Sequence, residues 1–170
     1  FGHSTMERAV LPGEVGASAW RAAAGARPTH PGVIGLLDAR PVTAWATSPD
    51  DAPDQQQIVI GVAKEDGRIG PLVVLVDFDE LGGAVKDAFF LPDMIEARLR
   101  REVFARMEDT GIPPYPVDVE DAVAVLEAGL SAAAQVGWAL PSASDQPVLE
   151  RIERLVLRPM RGDAGPLRPA

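Results

Sequence analysis

The chain has 170 residues, 46% of them hydrophobic, with a net charge of −9 and no cysteine. That length predicts one domain burying roughly 70% of its unfolded surface, while the missing thiols remove cysteine nucleophiles, thiolate metal sites and disulfides. Lys64 and Lys86 are the only lysines, so the acidic balance argues against a general affinity for nucleic acid.

No apolar run approaches the roughly 20 residues of a membrane span, and no signal-peptide pattern leads the chain. The expectation is a cytoplasmic protein with no membrane partner. Residues 1–5, FGHST, read as a tag remnant, residues 6–158 as a single domain and residues 159–170 as a Gly-, Pro- and Arg-rich arm. Setting the first five residues aside leaves His30 as the one histidine.

The Ala-rich run 13–26 places Val15, Ala19, Ala22 and Ala23 at helical spacing. A short helix, or a strand, follows from Pro31 to Pro41, where Thr29 or His30 serves as cap. From Val42 the period changes. VTAWATS, QIVIGVAKE, PLVVLVDFD and AVKDAFFL are four β-like runs, separated by PDDAPDQQ, DGRIG and ELGG. Connections this short cannot house crossover helices, so the pairing is predicted antiparallel. Leu72–Val76 is apolar on both faces and reads as an interior strand covered on both sides.

After Pro92 the period becomes helical. Asp93 and Glu96 have the spacing of a capping box, and Ile95, Leu99, Val103 and Met107 form one stripe ended by Gly111. Glu96–Arg100 and Glu102–Arg106 sit at ion-pair spacing on that helix. IPPYP reads as a stiff extended linker. Asp118 caps a second helix with Ala122, Leu126, Leu130 and Ala133 on one side, stopped by Pro141. A third has Ser144 or Asp145 as cap, Pro147 in its first turn and Val148, Ile152, Leu155 and Val156 as its stripe. The sum is an α+β fold: a four-stranded antiparallel meander packed with four to five helices, three of them C-terminal.

The charges around the Gly82–Gly83 turn are the candidate site. The expected hairpin pairs 72–79 with 84–91 and turns at Leu81–Gly83, and either two-residue loop sets Lys86 beside Asp77 and Asp79. Two carboxylates could hold a divalent cation while the lysine stabilises charge. This acid–hairpin–lysine arrangement resembles the restriction-endonuclease-like nucleases, a resemblance that implies metal-dependent hydrolysis. The resemblance covers about fifteen residues, and Ala84 stands where that family carries a further acid. The competing reading is a cross-strand ion pair worth roughly 0.2–1 kcal/mol. Asp87, placed with Val85 and Phe89 on the opposite face, reads as a rim residue or a partner for a helix end.

Other candidates are fewer. Trp45, Phe89 and Phe90 could line a cleft between sheet and helices, though Trp20, Trp45 and Trp138 read first as core. Ser18 and His30 could pair but lack an acid, and no phosphate-binding or dinucleotide-binding glycine pattern occurs. No cofactor is implied. Acids crowd between Asp38 and Asp93, while Arg151, Arg154, Arg158, Arg161 and Arg168 make the C-terminal stretch basic. Such asymmetry could orient a head-to-tail contact. The functional expectation is a non-enzymatic interaction or oligomerisation module, a homodimer through an apolar helix face or a subunit beside another protein. The alternatives are a small-molecule-binding domain and the metal-dependent hydrolase.

Overall fold

A computed structural model describes residues 39–143 and 147–162. The four predicted strands form as β1 (Pro41–Thr47), β2 (Gln55–Ala63), β3 (Ile69–Asp77) and β4 (Ala84–Phe90). Helix α1 covers residues 96–109, and a fifth strand, β5 (Pro114–Pro116), follows it. Helix α2 (Val119–Gln135), a 3₁₀ turn (Pro141–Ala143) and helix α3 (residues 147–162) complete the described chain. The predicted element at 13–26, residues 31–38 of the next one and the caps Ser144 and Asp145 lie outside the described residues, while Ala39 and Arg40 belong to no element and Pro41 opens β1.

The α+β architecture holds, with different counts. Among the described residues the sheet has five strands in the order β4-β3-β2-β1-β5, all antiparallel, and there are three helices. The extra strand is the segment read as a linker. Tyr115 pairs with Ala46 between Pro114 and Pro116, and the Val117 N–H donates to the Ala44 carbonyl. Proline lacks an N–H, so these residues suit an edge and blunt it against further pairing.

Both faces of the sheet are covered, which explains why all nine residues of β3 are buried. On one face Ile58, Ile60, Leu72, Val74 and Val76 meet Ala122 and Leu126 of α2 and Ile152 and Val156 of α3. On the other, Trp45, Val59, Val73 and Phe89 meet Leu99, Val103, Phe104 and Met107 of α1. The α1 stripe is therefore as predicted except at its start, where Ile95 remains exposed.

The helix ends divide between expectation and correction. Asp118 caps α2 as predicted, its Oδ1 accepting from the N–H groups of Glu120 and Asp121 at 2.8 and 3.1 Å. Gly137, at φ 68°, closes the same helix, with the Trp138 N–H reaching the Ala133 carbonyl. The capping box at α1 does not form: Ile95 holds the cap position without a side-chain bond, and Asp93 pairs with Lys64 at 3.7 Å. Glu96 does meet Arg100, but Glu102 turns back to Arg98 rather than on to Arg106. A π-helical turn at Arg100–Phe104 widens α1 there and displaces the expected spacing.

A second π-helical turn, Glu153–Leu157, ends two residues before Pro159 in α3. Proline cannot donate to the preceding turn, and a widened turn accommodates it without ending the helix. The helix runs on to Gly162, into the stretch whose composition suggested an arm, and Met160 packs on the core.

Helix α2 approaches the β3–β4 hairpin at Gly129. A Cβ there would lie 2.7 Å from Val85 Cγ2 and 3.4 Å from the Gly83 carbonyl oxygen. Gly129→Val is expected to lower stability by roughly 1–3 kcal/mol through overpacking, read as a lower urea midpoint at unchanged slope.

Candidate functional site

The hairpin forms, but its turn differs from either predicted loop. Six residues, 78–83, link β3 to β4, and Gly82 and Gly83 close the loop at φ 60° and 93°. Asp77 opposes Ala84, not Lys86. The next pairs are Val76 with Val85 and Leu75 with Asp87, so Lys86 is the extra residue of a β-bulge. The bulge also resets the alternation of β4. Val85 and Ala88 share the α2–α3 face although three residues apart, whereas Phe89 joins the α1 face. Asp87 is thereby separated from Val85, with which strict alternation had placed it.

Asp77 is 2% exposed and its carboxylate is fully engaged. Oδ1 accepts from the N–H groups of Asp79, Glu80 and Leu81 at 3.0, 2.9 and 3.4 Å, and Oδ2 lies 3.5 Å from Lys86 Nζ. An aspartate ending a strand folds the following loop over its own side chain, because its oxygen satisfies amides that the turn leaves without ladder partners. Asp79 contributes its backbone; its side chain is exposed and joins no ion pair among the described residues. The structure thus brings Lys86 to Asp77 and leaves Asp79 in the loop. Ala84, where the nuclease pattern needs an acid, is buried in the core. Among the described residues no group of three or more His, Asp or Glu side chains could hold a metal ion.

Asp87 serves a helix end, one of its two predicted roles. Its Oδ1 accepts from the Ser142 N–H at 2.9 Å and its Oδ2 from Ser142 Oγ at 2.7 Å, tying the 3₁₀ turn to edge strand β4. Trp138 Nε1 donates to the Lys86 carbonyl at 2.9 Å beside it, so this tryptophan, 37% exposed, clamps the bulge and is not core.

The predicted aromatic cleft is divided by the sheet. Trp45 and Phe89 belong to the α1 face, Trp45 meeting Phe104 edge-on at 5.1 Å with the Arg100 guanidinium 5.5 Å from its ring centre. Phe90 packs on the α2–α3 face under the Arg151 guanidinium, 4.2 Å from its ring centre. Burial pushes that guanidinium below arginine's usual pKa, Asp93 opposes the shift and Arg154 adds to it. Ser18 and His30 lie outside the described residues.

Sequence reasoning missed a buried polar set spanning three strands. Thr47, Gln55, Gln57 and Asp77 are all at most 7% exposed. Gln55 opposes Asp77, Gln57 opposes Leu75, and Thr47 Oγ1 accepts from the Gln57 N–H at 3.0 Å. Among the described residues nothing donates a hydrogen bond to Gln55 Oε1 or Gln57 Oε1. The signal was the run Gln55–Gln57, whose first two residues read as a turn by their polarity although they open a buried strand.

At the same end of the sheet lies a hollow of about 270 Å³, lined by Pro49, Ala52, Pro53, Gln56 and Phe78. The Phe78 N–H donates to the Asp54 carbonyl at 2.8 Å, which joins the β1–β2 and β3–β4 loops at this point. Comparison with family models, curated proteins and solved structures gave no match.

Proposed function

We propose that this chain is a non-enzymatic protein-interaction module that self-associates, most simply as a closed two-fold dimer, the commonest form among soluble oligomers. The observation that carries this reading is the loop-built apolar hollow with Phe78, 49% exposed, at its edge. An aromatic ring held half in water by a rigid hairpin is a typical anchor for a partner surface. The helix stripes first considered for the contact lie against the sheet, so the exposed aromatic side chains at loops and edges, Phe78, Tyr115 and Trp138, are better placed. The most buried carboxylates also favour this reading, since Asp77 and Asp87 are spent on loop amides, Lys86 and Ser142. Light scattering at micromolar concentration is expected to return twice the chain mass of 18.0 kDa. A single-chain mass at every concentration would count directly against self-association.

A second reading, a small-molecule-binding domain, is favoured by the unpaired oxygens of Gln55 and Gln57. A ligand donating hydrogen bonds to both would recover the desolvation cost of those amides. A thermal-shift screen against amine- and amide-bearing metabolites tests it: a rise of the melting temperature that Gln57→Leu abolishes supports this reading, and no rise counts against it.

A further inference from the structure

The acidic loops and the basic third helix find no role in the reading above, and together they specify its contact. We infer that the hollow beside Phe78 receives Leu149 of a second copy, with that copy's Arg154 and Arg158 set against the carboxylates around the hollow. The inference rests on the self-association proposed above and names its surface.

The hollow is apolar where Pro49, Ala52, Pro53 and Phe78 line it, with the neutral Gln56 as its polar lining residue. Asp50, Asp51, Asp54, Asp79 and Glu80 are all exposed on the two loops that build it. Among the described residues none of the five joins an ion pair. Five like charges on the loops beside an apolar floor repel one another, and a cationic partner with an aliphatic tip relieves that repulsion while covering the floor.

Helix α3 carries such a combination. Leu149 is its exposed large apolar residue among those described, at 46%. Arg154 and Arg158 are exposed, and neither joins an ion pair among the described residues. Their neighbours on the same helix are already engaged: Arg151 lies on Phe90, and Arg161 binds Glu127 and Glu153. Arg154 and Arg158 stand four residues apart on this helix, the spacing that makes side chains neighbours on one side of it. No ion pair within the described chain joins the two charged sets. In a two-fold pair the contact occurs twice, each copy giving its loops to the other's helix.

Two charge-reversed variants test the assignment, Asp51→Lys/Glu80→Lys on the loops and Arg154→Glu/Arg158→Glu on the helix. All four positions are exposed, so each variant should melt as a folded protein by circular dichroism. Each alone is expected to raise the dimer dissociation constant by about tenfold or more, as for opposed rim charges made alike. An equimolar mixture should regain dimer mass, because the reversed loops of one variant then face the reversed helix of the other. Leu149→Ala should weaken the wild-type dimer without changing its salt dependence. Dimers in both variants alone, or no recovery on mixing, overturn the assignment while leaving self-association standing. A wild-type protein that stays at single-chain mass overturns both.

Discussion

Trp45→Ala is expected to lower the unfolding free energy by about 3–5 kcal/mol, a cost typical of deleting a buried tryptophan. Trp45 is 2% exposed at the centre of the cluster that joins the sheet to α1, and its ring meets Phe104 and Arg100. Removing it leaves a cavity between two layers that a strand backbone holds apart, so the site cannot collapse freely. The loss is a large share of the roughly 5–15 kcal/mol that stabilises a typical domain. Urea unfolding followed by far-ultraviolet circular dichroism should show a lower midpoint at unchanged slope. A midpoint within error of wild type would show that α1 contributes little to the folded core.

Asp77→Ala is expected to cost about 2–4 kcal/mol, well above the fraction of a kilocalorie expected for an exposed cross-strand pair. The difference is burial. Asp77 is 2% exposed and meets three loop N–H groups besides Lys86, whose side chain is 26% exposed and therefore partly screened. Alanine leaves those donors unsatisfied and the lysine without its partner. Asp77→Asn keeps a carbonyl oxygen for the loop and forfeits only the charge, so it should lie between wild type and alanine, near 1–2 kcal/mol. Magnesium or manganese should leave the melting temperature of the parent protein unchanged, because both carboxylate oxygens are engaged. A rise that vanishes in Asp77→Asn, with that variant more stable than wild type in the absence of metal, would instead support the hydrolase reading.

Much of this molecule was legible along the chain because local periodicity carries it. The four long strands, the burial of β3 on both faces, the Asp118 cap and the inward stripes of α1, α2 and α3 all follow from spacing, turn residues and capping chemistry. These features depend on residues within a few positions of one another. The contact of Lys86 with Asp77 was legible too, since a short connection brings one strand end back beside the other.

What only the tertiary structure decided depends on partners distant in sequence. The bulge at Lys86 changes which side of β4 Val85 shares, and strict alternation cannot reveal an inserted residue. Pro114–Pro116 became a strand because the open edge of β1 was available to an already extended segment. Asp93 left its helix for Lys64, and Phe90 parted from Trp45 and Phe89 because a sheet lies between them. Gln55 and Gln57 are buried because strand β2 carries them under cover, although Gln55 reads by its polarity as part of the preceding turn. A side chain's own chemistry sets what it can do, but the elements packed around it set whether water, an ion or a partner can reach it.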